Sequence, residues 1–153
     1  MVHIVGAGPG DPELITVKGR RYLEEADVVI YAGSLVNPAL LGVCREDAVI
    51  HNSAKMTLEE VLTVIEAAEA EGKMTVRLHT GDPAIYGAIQ EQMDAMAKKG
   101  IAYDVVPGVS SFLASAAALR QEYTLPGISQ TVIITRQAGR TPVPEREQLR
   151  ALA

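Results

Sequence analysis

Short apolar runs of strand length alternate with helical patterns along this chain, and this alternation limits the possible folds more than any other feature. The predicted strands are residues 2–5, 27–31, 74–79 and 102–106, and the predicted helices are residues 14–26, 58–71, 85–99 and 110–119. Two shorter patterns predict a helix at residues 38–44 and a strand at residues 48–51. Repeated strand–helix alternation with short loops predicts an α/β fold with a largely parallel sheet flanked by helices.

Two of the predicted helices carry clear boundary signals. Thr57 and Glu60 have the Thr-x-x-Glu spacing of a capping box, in which each side chain hydrogen-bonds a backbone N–H of the other residue,. This helix ends at Gly72, and its apolar residues share one face: Leu58, Val61, Leu62, Ile65 and Ala68,. A second stripe predicts a helix that starts near Ile85 and ends at Gly100, with its apolar face formed by Ile85, Ile89, Met93 and Met96,.

A polar segment at residues 120–130, which contains Pro-Gly, interrupts the alternation, and we expect a domain boundary there,. Residues 1–119 then form an N-terminal α/β domain. Residues 131–153 form the beginning of a C-terminal α/β domain, with a strand at residues 131–135 and a helix that begins near Pro144,. One strand and part of a helix cannot bury a core. We therefore expect this chain of 153 residues to be part of a longer, two-domain protein.

Composition and charge exclude several classes of protein. An apolar content of 48% with 22% charged residues excludes an intrinsically disordered chain,. The net charge of −5 provides no long-range attraction to nucleic acid or to anionic membrane surfaces,. Cys44 is the one cysteine, residues 1–20 lack the pattern of a signal peptide, and no apolar stretch is long enough to span a membrane,. These features predict a cytoplasmic protein with no nucleic-acid or membrane partner.

Three loops rich in glycine and proline each follow a predicted strand, at residues 6–12, 80–83 and 107–111. Glycine and proline are common in any strand-to-helix turn, so a single loop of this kind would carry little information. The carboxyl ends of parallel strands, however, meet at one edge of a sheet, and ligands of open α/β sheets bind there. The three loops together therefore predict one ligand pocket at the carboxyl edge.

The first loop does not match the common phosphate-binding patterns. Its glycines are spaced Gly-x-Gly-x-Gly, and Pro9 and Pro12 lack the backbone N–H groups that bind phosphate at a helix start,. Asp27 lies at the start of the second predicted strand, whereas the ribose-binding acid of a dinucleotide fold follows that strand. The Gly-Lys-Ser/Thr of a P-loop is absent,. The three histidines, His3, His51 and His79, have no metal-site spacing, so no metal is expected,.

Residues 5–16, 81–83 and 106–110, taken in this order, resemble the tetrapyrrole methylases, which transfer methyl groups from S-adenosylmethionine. The resemblance covers essentially the whole chain. Within that family, residues 31–38, 78–83 and 135–145 resemble the precorrin-4 C-11 methyltransferases of cobalamin biosynthesis. The glycine loops indicate only the class of enzyme, whereas residues 31–38 and 135–145 are the more specific segments.

The resemblance implies that S-adenosylmethionine binds between two α/β domains and leaves as S-adenosylhomocysteine. The positions that match the cofactor-contacting residues of the family are Pro9, Thr80, Gly81, Asp82, Ile85, Ser110 and Ser111. A sulfonium cation with an adenosine needs carbonyl groups, a carboxylate and flat apolar surface more than phosphate-binding amides. The alternatives are that Asp82 only caps a helix beginning near Ala84, and that Ser110 or Ser111 is only an N-cap.

The implied substrate is a tetrapyrrole with many carboxylates, methylated at C-11 of precorrin-4 or of its cobalt complex. Arg136 and Arg140 are expected to bind those carboxylates, since guanidinium groups bind carboxylates in a bidentate manner, and solvated arginines are the alternative,. Ser34 and Asn37 are further substrate-binding candidates. Direct attack on the methyl group needs no covalent enzyme intermediate, and the sequence indicates no catalytic base.

Two alternative functions stay open, namely another tetrapyrrole methylase with different regiochemistry and a non-catalytic fragment of one. Family members also tend to be dimers, so a homodimer is expected. Arg77, in the middle of a predicted strand, is interpreted as structural, and Cys44 as a small buried apolar residue because no nucleophile–base pair surrounds it,.

Overall fold

The computed structural model describes residues 1–139 and 141–152, with Ser34 described by its backbone alone. Its internal contacts divide the chain into two compact units, Met1–Ser115 and a second unit that begins at Ala116. The dividing point lies inside a helix, and the domain boundary expected at residues 120–130 stays a prediction. Each unit is described separately below.

The first unit is built on a five-stranded sheet in which every neighbouring pair is parallel. Its strands are β1 (Val2–Gly6), β2 (Val28–Tyr31), β3 (Val49–Asn52), β4 (Thr75–His79) and β5 (Tyr103–Val106). The spatial order is β3-β2-β4-β1-β5, so the first strand of the chain lies between β4 and β5. The predicted α/β fold with a parallel sheet is confirmed.

Helices cover both faces of this sheet, because successive strand residues point to opposite faces and both sets are largely apolar. The helices are α1 (Val17–Glu25), α2 (Leu58–Ala70), α3 (Gln90–Lys98) and α4 (Ser111–Leu119). On one face, α2 and α3 contribute Ile65 and Met96 to a cluster that includes Ile4 and Ile30. On the other face, α1 contributes Leu23 to a second cluster. The site described below therefore rests on a sheet packed on both sides.

The predicted capping box at the start of α2 is confirmed. Thr57 accepts a hydrogen bond from the Glu60 N–H at 3.2 Å, and the Glu60 carboxylate accepts one from the Thr57 N–H at 2.7 Å. The stripe of this helix is buried as expected, with Val61, Leu62 and Ile65 all in the core. Local sequence signals are sufficient here because the cap and the stripe favour the same conformation.

Two predicted helix starts were wrong. The first helix begins at Val17 rather than at residue 14, because Asp11 caps a separate 3-10 turn, Pro12–Leu14, and Thr16 then caps α1. The third helix begins at Gln90 rather than near Ile85. Its apolar spacing continues upstream, but Tyr86 and Ala88 adopt positive φ angles of 57° and 50°, which no helix can contain,.

The second unit has little regular structure in its described part. The strand predicted at residues 131–135 was wrong, because this segment pairs with no other strand among residues 116–139 and 141–152,. The helix expected near Pro144 is instead a 3-10 turn, Glu145–Glu147, followed by α5 (Leu149–Leu152). The helices described in the two units are all too short or too polar to cross a lipid bilayer.

Candidate functional site

The three glycine loops meet at the carboxyl edge of the sheet, because they follow the adjacent strands β4, β1 and β5. The first two loops are joined by an isolated antiparallel bridge between Gly8 and Gly81. Gly8 donates its N–H to the Gly81 carbonyl at 3.2 Å, and Gly81 returns a hydrogen bond to the Gly8 carbonyl at 2.8 Å. The strand order and these bonds place the predicted loops in one locus.

Glycine is required where the three backbones touch. A Cβ on Gly108 would lie 2.1 Å from the Gly81 carbonyl oxygen, and a Cβ on Gly6 would lie 2.6 Å from the Gly108 Cα. Both distances are far below van der Waals contact, so neither position can carry a side chain without moving backbone. Gly81 itself has a φ of +58°. The loops therefore form one closely packed backbone assembly, which the sequence indicates only through its glycines.

Asp82 connects the second loop to the third. Its carboxylate accepts a hydrogen bond from the Ala84 N–H at 2.8 Å through Oδ1 and from the Gly108 N–H at 2.9 Å through Oδ2. The alternative that Asp82 caps a helix beginning near Ala84 was wrong, since the helix starts at Gln90 and residues 83–86 form a turn. Two backbone donors hold this negative charge at the carboxyl edge.

The other predicted cofactor residues lie on the same loops with different exposure. Thr80 and Pro9 are half-buried, and the Ile85 side chain is 40% exposed. Ser110 is buried and directly precedes α4, where its carbonyl accepts hydrogen bonds from the N–H groups of Leu113 and Ala114. Ser111 is exposed and begins α4. The first unit therefore contains all seven predicted cofactor residues, and their roles in binding stay predictions.

Asn37 reaches the first loop directly. Its side-chain Nδ2 donates to the Gly10 carbonyl at 2.7 Å, and its Oδ1 accepts the Ala39 N–H at 3.0 Å. Asn37 thus fixes the segment that follows β2 against the first glycine loop. Ser34 belongs to a 3-10 turn, Gly33–Leu35, and its side chain lies outside the described part of the structure.

Arg136 belongs to the second unit and Arg140 lies outside the described residues. The Arg136 guanidinium donates to the carbonyls of its own loop, including Thr141 at 3.0 Å and Pro142 at 3.2 Å. Together with Arg150 it lines a cavity of about 260 Å³. Two arginines are thus among the residues that line this cavity, and the binding of substrate carboxylates by Arg136 stays a prediction.

Two buried polar residues of β4 were not predicted as part of the site. Arg77 is 7% exposed, and burial lowers the pKa of its guanidinium to about 10. His79 is 5% exposed, and burial together with the charge of Arg77 lowers the pKa of its imidazole to about 3. Among the described residues, the Nε2 of His79 has no hydrogen-bond partner. The sequence signal was the alternation Thr75, Arg77, His79 in an otherwise apolar strand.

The charges of the loops favour a cation over a phosphate. Residues 6–12, 80–83 and 107–111 include two carboxylates, Asp11 and Asp82, and contain no lysine or arginine. Backbone carbonyls and a fixed carboxylate suit a sulfonium ligand, so this donor set fits S-adenosylmethionine. Among residues 1–139 and 141–152, no three histidine, cysteine or acidic side chains gather as a metal site.

Comparison with known proteins agrees with this geometry. A cobalt-precorrin-4 C(11)-methyltransferase of Methanocaldococcus jannaschii is 62% identical over 99% of this chain. The chain spans 59% of the length of that relative. The X-ray structure of a cobalt precorrin-4 methyltransferase, described as a cobalamin biosynthetic enzyme, superposes with a TM-score of 0.95 at 52% identity, covering 99% of this chain and 63% of that one.

A more distant structure was solved with a ligand. Uroporphyrin-III C-methyl transferase from Thermus thermophilus, complexed with S-adenyl homocysteine, is 36% identical, with a TM-score of 0.69 over 85% of this chain and 52% of that chain. The model of the family described as Tetrapyrrole (Corrin/Porphyrin) Methylases matches residues 1–153. Together with the three joined glycine loops, these matches establish that the chain belongs to the tetrapyrrole methylases.

Proposed function

We propose that this chain carries the cofactor site of an S-adenosylmethionine-dependent methyltransferase that methylates C-11 of precorrin-4 or of its cobalt complex in cobalamin biosynthesis. The observation that carries the proposal is the junction of the Gly8, Gly81 and Gly108 loops around the Asp82 carboxylate. The names of the 62% identical relative and of the superposed crystal structure support the choice of substrate.

The loops would hold the cofactor by complementary charge and close approach of backbone. The Asp82 carboxylate stays oriented by two N–H donors, so it can balance a cationic ligand without rearranging,. Ile85 offers exposed apolar surface, while Thr80 and Ser111 offer hydroxyl groups at the loop ends. S-adenosylmethionine supplies a methyl group on a sulfonium, which is already a good leaving group.

The main contribution of the protein is therefore alignment of the two reactants. Correct orientation of bound reactants can lower a barrier by about 7–11 kcal/mol. Bonds between loops, such as the one from Asn37 to the Gly10 carbonyl, hold the edge rigid for that purpose. No described side chain is assigned as a catalytic base, since none is established near a reacting carbon.

On the substrate side, Arg136 and Arg140 are proposed to bind the carboxylates of the tetrapyrrole, with Ser34 and Asn37 as further contacts. The cavity that Arg136 shares with Arg150 supports an anion-binding role for this part of the chain,. We also propose that the protein acts in the cytoplasm as a homodimer, which sedimentation at several concentrations would test.

Calorimetric titration with S-adenosylhomocysteine tests the cofactor claim directly. A protein extended to the length of its relatives should bind it, whereas the 153-residue chain, which spans 59% of that length, should bind it weakly or not at all, because the site is proposed to lie between two domains. In the extended protein, Asp82→Asn should weaken binding by about tenfold or more, because the amide cannot accept both backbone N–H groups,. Asp94→Asn is the matched control, since Asp94 is a solvent-accessible acceptor on α3. Equal binding by wild type and by both variants would remove Asp82 from the site.

Regiochemistry needs a separate assay with labelled methyl donor. Incubation with precorrin-4 and with its cobalt complex, followed by NMR assignment of the methylated carbon, should give C-11. Exchange of residues 31–38 and 135–145 with the uroporphyrin-III enzyme should alter which substrate is used. Unchanged regiochemistry after both exchanges would contradict the assignment of specificity to these segments and favour another methylase activity.

A further inference from the structure

Arg77 is a buried cation whose described partners are neutral. Its Nη1 donates to the Ile30 carbonyl at 3.0 Å, and its Nε donates to the Gln92 side-chain oxygen at 3.0 Å. In the described ranges, no carboxylate forms an ion pair with it. Removing a guanidinium from water in this way is costly, and an apolar side chain would fill the same space at a lower cost. The position therefore calls for a role beyond packing.

Gln92 connects Arg77 to the strained loop that precedes α3. Its Oε1 is held by Arg77, which leaves its Nε2 directed at the Ala88 carbonyl, and the two atoms lie 3.1 Å apart. Ala88 has a φ of 50°, a conformation that residues with a Cβ rarely adopt,. A hydrogen bond from a buried, oriented amide is a means of holding such a residue in place.

The strain extends back toward Asp82. Tyr86 has a φ of 57°, and a Cβ on Gly87 would lie only 2.0 Å from the Pro83 carbonyl oxygen. The Ile85 N–H donates to the Asp82 carbonyl at 3.2 Å, so the tight turn begins at the residue that joins the glycine loops. The shape of this whole segment is therefore fixed at both ends, by Asp82 and by Ala88.

We propose that Arg77 and Gln92 are positioning residues that hold the segment from Asp82 to Ala88 in the shape required for cofactor binding. The proposal rests on the cofactor site proposed above. Arg77 orients Gln92 from the sheet, and Gln92 fixes the Ala88 carbonyl from α3. Ile85 and Tyr86 are then presented at the carboxyl edge by a backbone that would otherwise relax.

The variant Gln92→Glu separates positioning from stability. Its carboxylate still accepts the bond from Arg77, and adds the opposite charge, but it has no N–H for the Ala88 carbonyl,. We expect the dissociation constant for S-adenosylhomocysteine to rise about three- to tenfold, the effect of one lost hydrogen bond, with the urea midpoint not lowered. Gln90→Glu, on the exposed side of the same helix, adds the same charge and should leave binding unchanged.

A binding constant unchanged within about twofold in Gln92→Glu would overturn the proposal, as would an equal loss in Gln90→Glu. If Gln92→Glu fails to fold, the double variant Arg77→Met/Gln92→Met replaces both polar partners by apolar ones of similar shape. It should fold and show the same loss of binding, and wild-type affinity in it would overturn the proposal.

Amide NMR spectra distinguish a failure of this inference from a failure of the proposed function. In Gln92→Glu, the signals of Tyr86, Gly87 and Ala88 should shift while those of β1 and β5 stay in place. If a wild-type protein extended to the length of its relatives does not bind S-adenosylhomocysteine, the proposed cofactor site fails, but these shifts still test the role of Gln92. Unshifted signals would contradict the positioning role whatever the ligand.

Discussion

Acid should destabilise this protein through His79, and the effect can be calculated. The imidazole is buried, its pKa is lowered to about 3 from 6.5, and no described group bonds its Nε2. In the unfolded chain the same group takes up a proton as the pH falls through about 6.5, whereas the folded protein resists until about pH 3. Stability is therefore unaffected above the unfolded pKa and is lost progressively below it.

At about pH 5 the linkage relation gives a loss of about 2 kcal/mol from this one residue, compared with almost none at about pH 7.5. Such a loss is a substantial part of the free energy of unfolding of a typical domain, which is roughly 5–15 kcal/mol. Urea denaturation at the two pH values measures it. The variant His79→Gln removes this titrating group. Its free energy of unfolding should therefore fall between the two pH values by about 2 kcal/mol less than that of the wild type.

Contributions of groups that the substitution does not touch are equal in wild type and variant and cancel in the difference. His51→Gln, at a half-buried histidine of β3, is the matched control, and an equal reduction of the pH dependence in this variant would refute the assignment of the effect to His79. Equal pH dependence in wild type and His79→Gln would refute the reasoning. An NMR titration that gave His79 an ordinary pKa near 6.5 would refute it independently.

Three further predictions concern the loops and helix α2. Gly108→Ala should lower the free energy of unfolding by about 1–3 kcal/mol in urea, since its Cβ would lie 2.1 Å from the Gly81 carbonyl, whereas Gly42→Ala meets nothing within 4 Å and should be neutral,. Asp82→Asn should cost about 1–3 kcal/mol as well, because one backbone N–H then faces an amide donor, and an unchanged urea midpoint would contradict this,. Thr57→Ala should cost about 1 kcal/mol by loss of the helix cap, with S-adenosylhomocysteine binding retained in calorimetry,.

The sequence was sufficient for the sheet and for the edge at which the site lies. Apolar runs separated by glycine loops predict parallel strands, and the carboxyl ends of parallel strands necessarily share an edge. The same signals could not give the contacts between loops, because the bond from Gly108 to Asp82 joins residues that are distant in the chain. Such contacts depend on strand order, which local patterns do not encode.

Two of the wrong predictions, the helix start near Ile85 and the strand at residues 131–135, arise because a local sequence pattern does not determine the backbone conformation. The stripe from Ile85 to Met96 keeps helical spacing although Tyr86 and Ala88 leave the helical region, because hydrophobic periodicity records which side chains are buried and not the backbone angles,. Residues 131–135 have the composition of a strand, but a strand needs a hydrogen-bonded neighbour, and the described part of the second unit provides none,. In the first case, Gly87 was the sequence signal against a helix that starts near Ile85, because glycine is unfavourable in a helix interior,.

The position of β1 between β4 and β5 also has a consequence for how the chain folds during synthesis. Val2 pairs with Thr75 on one side and with Tyr103 on the other, so β1 has neither of its partners until most of the first unit has been made. Contacts of such long sequence separation slow folding and leave an apolar strand exposed in the meantime. A nascent chain arrested before β4 should therefore depend on chaperones, and one arrested after β5 should not.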